Sequence, residues 1–159
     1  MATSDELCWL SAVEIAERIR TGAVTPTDVA EQVVARIEAV NPDLNAFVNF
    51  DRDQVLRDAA AQTEAQRRGD ELGPLHGVPY SIKDLTAVAG LPLTFGLEPL
   101  KDNIPDRDAA VVTRLRNAGG LFLGITNTIE SGHHCGSTDN HLFGPTREPM
   151  ETRQNRRRL

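Results

Sequence analysis

Leu121-Phe122-Leu123-Gly124-Ile125 contains no polar residue and follows a helical pattern that Gly119-Gly120 terminates. The helix is predicted over Ala109 to Ala118, capped by Asp108, with Val111, Val112 and Leu115 on one face. Before it, Val78, Tyr80 and Ile82 mark a second short apolar run. Strand, helix, strand with an uninterrupted second strand is a βαβ unit, whose strands lie parallel and buried on both faces. The crossover is expected to be right-handed. The chain is therefore α/β, and the strand ends at Lys83 and at Thr126-Asn127 share the carboxyl edge, where such sheets collect functional groups.

The preceding residues read as helices. Ser11 and Glu14 form a capping box ahead of Val13, Ile15, Ala16 and Ile19, and the pattern runs to Gly22. Thr25-Pro26 opens a second helix with Val29, Val33, Ile37 and Val40 as its stripe, which Asn41-Pro42 is expected to end. Ala46 to Phe50 is a short strand. Asp51 caps a third helix that stops at Arg67-Arg68-Gly69. Between Thr86 and Pro105 runs a loop punctuated by Gly90, Pro92, Gly96 and Pro99. No repeat or linker divides these elements, so one domain is expected of 159 residues that are 40% hydrophobic.

A net charge of -6 argues against a nucleic-acid partner, and Arg153 with Arg156, Arg157 and Arg158 reads as a solvated tail. No stretch approaches the roughly 20 apolar residues that cross a bilayer, and the N-terminus lacks the pattern of a secretory signal. Cys8 and Cys135 read as free thiols in a reducing compartment, so the expected location is cytoplasmic with no membrane partner.

Lys83 is the single cation in its apolar run. Burial would push its amine toward the neutral form of a general base. Alternatively it reaches solvent at the strand end and pairs with Asp84. His133, His134, Cys135 and His141 invite a metal reading, but adjacent residues rarely bind one ion together, and no spaced pair completes a set. No metal is expected.

Gly73-Pro-Leu-His-Gly-Val-Pro-Tyr-Ser-Ile-Lys-Asp-Leu85 resembles the lysine motif of the amidase signature family. A second block is similar to that family's: Gly124, Thr126, Asn127, Glu130, then Gly136, Ser137, Thr138, Asn140, and Phe143 to Arg147 with Pro149. The resemblance runs from about Leu10 to Met150. It implies an α/β fold with N-terminal helices packed on an incomplete mixed or parallel sheet, residues 1–150 forming the N-terminal part of an amidase domain and 151–159 an unrelated basic tail. It implies hydrolysis of a carbon-nitrogen amide bond through a serine nucleophile, a second serine in a cis peptide, and a lysine that corresponds to Lys83. Gly136, Ser137 and Thr138 are the implied substrate-binding turn, a small-molecule amide is the implied substrate, and no cofactor is implied.

In the family both serines follow the Phe-Gly-Pro-Thr block in a Gly-Ser-rich segment, whereas here Met150 is followed by Glu-Thr-Arg-Gln-Asn-Arg-Arg-Arg-Leu. Ser81, Ser131 and Ser137 are the remaining hydroxyls near the motifs, and none sits in such a segment. Ile125, Ser131 and Met150 stand where the family usually carries lysine, an aromatic and tryptophan. These departures read as a truncated or frame-shifted amidase, inactive as the isolated chain. The alternatives are a non-catalytic binding module, or one half of a split amidase or amidotransferase subunit whose second chain supplies the serines.

Overall fold

Ser11 and Glu14 close the predicted box: Ser11 Oγ accepts from the Glu14 amide at 3.3 Å, and Glu14 Oε2 accepts from the Ser11 amide at 2.8 Å. Helix α1 (Ala12–Arg20) follows. The computed structural model describes residues 6–133 and 139–148. The further elements are α2 (Pro26–Leu44), β1 (Phe47–Asn49), α3 (Arg52–Arg68), β2 (Pro79–Lys83), α4 (Ala110–Asn117) and β3 (Leu121–Thr126), with 3-10 turns at Glu6–Trp9, Glu98–Leu100 and Glu130–Gly132. The α/β class read from the sequence is the observed one, and the chain folds as two compact units whose division falls within α2, β2, α4 and β3.

The first unit holds the described residues through Ala39, with Asp51–Ser81 and Thr113–Leu123. Leu7, Ile15, Ile19, Val29 and Val78 form its core, so α1 and α2 pack on the residue that leads into β2. Burial of such side chains contributes about 1.5–3 kcal/mol each. Val13, expected on the buried stripe of α1, is instead 78% exposed, because Ile15 and Ile19 at i and i+4 already fill the contact. Helix α3 starts at Asp51, whose carboxylate accepts from the Gln54 amide at 2.9 Å, and ends at Gly69 in the left-handed region. Its Gln66 side-chain Nε2 donates to the carbonyls of Ile19 (2.6 Å) and Val24 (3.1 Å), tying α3 to the last turn of α1 and to the connection after it.

The second unit holds Val40–Phe50, Ile82–Val112 and the described residues from Gly124 onward. Helix α2 continues through Pro42 to Leu44, rather than ending at Asn41-Pro42. A proline this near a helix end removes only one donor, and the last turn closes when the Asn45 amide reaches the Asn41 carbonyl at 2.7 Å. Asn41 then fixes the chain's entry into β1, its Oδ1 accepting from the amides of Ala46 (2.9 Å) and Phe47 (2.7 Å).

The three strands lie in the order β1-β3-β2. The Leu121 amide meets the Val78 carbonyl at 2.8 Å at the start of the β2–β3 pair, and the Asp84 amide meets the Thr126 carbonyl at 3.0 Å at its end. Both strands therefore run the same way, as the βαβ reading requires. Strand β1 is antiparallel to β3, so the sheet is mixed. Two steps along β1, Phe47 to Asn49, oppose one step along β3, Thr126 to Ile125, which is a bulge. At Gly124, with φ of 148°, a Cβ would stand 2.3 Å from the Asn49 carbonyl oxygen, and only glycine admits that approach. Leu121, Leu123 and Ile125 are buried, as the apolar run predicted. Helix α4 begins one residue later than expected, the Ala109 amide donating to the Ala87 carbonyl at 2.9 Å, and Val111 is exposed while Val112 is buried.

The Ser11 hydrogen bonds hold the Glu14 carboxyl below the usual carboxylate range, with Arg18 assisting. A depressed folded-state pKa stabilises the fold above the ordinary carboxylate range and loses that contribution as pH falls through the folded value. Ser11→Ala is expected to lower stability by about 1 kcal/mol at pH 7. Urea denaturation at pH 7 and pH 3 checks this: the gap between wild type and variant narrows at the lower pH.

Candidate functional site

At the carboxyl end of β2 the burial pattern alternates by residue: Ile82 is 7% exposed, Lys83 is exposed and Asp84 is 1% exposed. Consecutive strand residues face opposite ways, and here the pleat separates the amine from the carboxylate beside it. Two expectations for Lys83 are corrected. Its amine is not buried by the surrounding apolar residues, because Ile82 takes the interior side and Lys83 the exterior. Nor does it pair with Asp84, whose Oδ1 accepts from the Thr94 amide at 2.7 Å and whose Oδ2 accepts from the Thr94 hydroxyl. Among the described residues the Lys83 amine has no hydrogen-bond or ion-pair partner.

Thr94 is itself 1% exposed, and its Oγ1 accepts from the Gly96 amide at 3.0 Å. The loop after β2 is thus anchored in mid-course to the residue following Lys83. Its arms are also bound together, the Leu93 amide to the Asn103 carbonyl (2.9 Å) and the Gly90 amide to the Pro105 carbonyl (3.0 Å). Against Gly96 lies Asn140, so close that a Cβ on the glycine would stand 3.0 Å from that side chain. Phe95 and Ser131 both have φ of 55°, and the Ser131 amide donates to the Phe95 carbonyl at 2.8 Å. Sparsely populated conformations of this kind collect where surrounding contacts impose them.

Asn140 is 4% exposed and fully bonded. Its Nδ2 donates to Asn127 Oδ1 (2.7 Å) and to the Thr128 carbonyl (2.6 Å), and its Oδ1 accepts from the Phe143 amide (2.7 Å). Asn127 continues the chain of bonds to the Gly144 carbonyl at 3.1 Å and the Asn45 carbonyl at 3.3 Å. Asn45 Nδ2 donates to the Phe143 carbonyl at 2.7 Å, and Thr146 Oγ1 donates to the Asn45 carbonyl at 3.0 Å. Amide side chains supply donor and acceptor together, so three asparagines can hold irregular backbone with few groups unmet. This framework holds both flanks of the segment carrying Gly136, Ser137 and Thr138, and those three residues lie outside the described residues, as do His134 and Cys135.

Sequence reasoning named Asn127 and Asn140 only as motif members and passed over Asp84, Thr94 and Asn45 as site-forming residues. Gly96 marks the loop that Thr94 anchors, whereas the partners of Asn45 lie about 100 residues away and leave no local pattern. No group of three or more metal-binding side chains occurs among the described residues, and no described helix is long and apolar enough to cross a membrane.

A family model described as Amidase matches residues 28–155. An acylamidase of Rhodococcus erythropolis is 57% identical over 149 residues, which are 94% of this chain and 31% of that protein. One subunit of the glutamyl-tRNA(Gln) amidotransferase of Streptomyces coelicolor is 42% identical over 146 residues, 92% of this chain and 29% of that protein. Among solved structures, a bacterial aryl acylamidase of the amidase signature enzymes superposes with a TM-score of 0.80 at 36% identity, covering 89% of this chain and 29% of its own. Fatty acid amide hydrolase, at 23% identity and a TM-score of 0.86, shares the fold. The chain spans about a third of the length of the curated relatives it matches.

Asn140→Ala removes three hydrogen bonds and takes their partner from the buried Thr128 carbonyl and the half-buried Phe143 amide, while Asn127 Oδ1 keeps the Thr128 amide at 2.9 Å. The expected loss is about 2–4 kcal/mol, measured by urea denaturation, with faster hydrogen exchange at the Phe143 amide than in wild type.

Proposed function

The chain belongs to the amidase family, and on that premise we propose that it carries the proton-accepting part of an amide-hydrolysing site, with Lys83 as the base. The placement of Lys83 supports this reading most: it ends a parallel strand beside β3, its amine is unpaired among the described residues, and its neighbour Asp84 is locked to Thr94. In the proposed reaction the neutral amine accepts a proton from a serine hydroxyl, which takes it in turn from the serine that attacks the amide carbonyl. The resulting ammonium returns the proton toward the departing nitrogen as the carbon-nitrogen bond breaks. Gly136, Ser137 and Thr138 are proposed to contact the substrate, held at their flanks by the asparagine framework.

Residues 1–159 contain no Gly-Ser-rich segment after the Phe-Gly-Pro-Thr block, so the two serines of the relay are proposed to be absent from them. A lysine acts as a base near neutral pH only when it is shielded from water, and the described residues leave Lys83 exposed. We therefore propose that residues 1–159 alone do not turn over amides and that shielding comes from outside the described residues. The higher identity to the acylamidase than to the amidotransferase favours an acyl amide as substrate. That the amidotransferase relative is one subunit of its enzyme favours, as a second reading, a site completed by another chain. The free-thiol reading of the cysteines fits action in the cytoplasm.

Residues 1–148 joined to the remaining two thirds of the Rhodococcus acylamidase provide the test, with release of p-nitroaniline from an acyl p-nitroanilide as the measurement. The hybrid is expected to hydrolyse the anilide, and Lys83→Met in it to lower kcat by about 10²–10⁴-fold with a much smaller change in KM. Unchanged kcat in the variant would remove Lys83 from the mechanism. Turnover by residues 1–159 alone would show that a serine within them serves as nucleophile.

A further inference from the structure

On the far side of β2 from Lys83 the second unit carries a half-open pocket of about 120 Å³, lined by Asp84 and Thr94 together with Val48, Lys101, Ile125 and Phe143 among others. Its polar element is unusual in one respect. The Asp84 carboxylate is 1% exposed, accepts two hydrogen bonds from Thr94, and meets no cation among the described residues. Burying a carboxylate away from water is costly unless an opposite charge or a full set of donors compensates it, and each oxygen retains capacity for a further donor. Lys101, the cation among the lining residues, is bound to Glu98 at 2.9 Å, and that bond holds its amine above the usual lysine range.

We propose that this cavity is a binding site for a small primary alkylammonium ion. The ammonium would donate to Asp84 while a short alkyl chain lies against Val48, Ile125 and Phe143. The volume is well below the roughly 300–1,000 Å³ of sites for drug-sized ligands, which restricts the occupant to a few heavy atoms. An anion is disfavoured by Asp84, and a neutral alcohol of the same length fills the apolar walls without compensating the charge. The site is separate from the proposed amide cleft, since Lys83 and Asp84 face opposite ways, and it stands whether or not Lys83 acts as a base.

The full chain, labelled with ¹⁵N in phosphate buffer, is titrated with n-butylammonium chloride and, separately, with n-butanol and with sodium chloride at matched ionic strength. Butylammonium is expected to give saturable shifts at the amides of Asp84, Thr94, Gly96 and Phe143, with butanol at least tenfold weaker and sodium chloride without saturation. Asp84→Asn is expected to weaken butylammonium binding at least tenfold. Val48→Phe, which fills the cavity and leaves the Asp84–Thr94 pair intact, is expected to do the same and decides the matter should the first variant fail to fold. Shifts that do not saturate, equal binding of butanol, or undiminished affinity in Val48→Phe would overturn the proposal.

Discussion

The pleat at the end of β2 sends two adjacent ionisable side chains to opposite sides, and the remaining architecture of the second unit follows from that separation. Had Asp84 faced the same way as Lys83, the two would have formed an ordinary surface pair of small energetic value. Facing inward, the carboxylate instead bonds Thr94 through two donors, and the loop between β2 and α4 is fixed in its middle rather than only at its ends. The amine on the outer side is left without a competing partner among the described residues, and exposed. Charge-assisted hydrogen bonds to a buried carboxylate are among the stronger polar contacts in proteins, so the anchor is suited to holding a long loop in one conformation.

A second constraint acts through asparagine. Asn45, Asn127 and Asn140 connect the end of α2, the end of β3 and the Phe143–Thr146 segment, none of which offers regular backbone pairing to the others. Regular structure satisfies backbone groups by repetition, and irregular segments must satisfy them individually. That need accounts for a buried, fully bonded Asn140 in a segment without helix or strand. Asn140 also joins the described residues on either side of positions 134–138, through the bond from its Nδ2 to the Thr128 carbonyl.

Much of this was readable from residue order. The capping box at Ser11, the cap at Asp51 with the stop at Gly69, and the apolar run of β3 each rest on contacts within a few residues, and each appears where local pattern placed it. Pro42 does not end α2 because a proline's effect depends on how near the helix end lies, and that end is closed by the Asn45 amide on the Asn41 carbonyl. Val13 and Val111 belong to the apolar stretches of their helices, yet Val13 lies about 200° round the helix from the buried Ile15 and Val111 about 100° from the buried Val112. The exposure of Lys83 follows from strand phase, which the alternation of Val78, Tyr80 and Ile82 with Ser81 and Lys83 already carries, whereas reading the run as uniformly apolar hides it. The asparagine framework joins residues about 100 positions apart and has no local signature.

Catalysis is attributed to one atom, the Nζ of Lys83, acting as a base toward a serine that residues 1–159 are proposed not to supply. The most direct test is chemical rescue of Lys83→Gly in the acylamidase hybrid by a series of small primary amines of graded basicity. The account predicts that added amine restores anilide hydrolysis and that the restored rate rises with amine basicity, as general-base catalysis requires. No restoration by any amine that fits, or a restored rate indifferent to basicity, would contradict it.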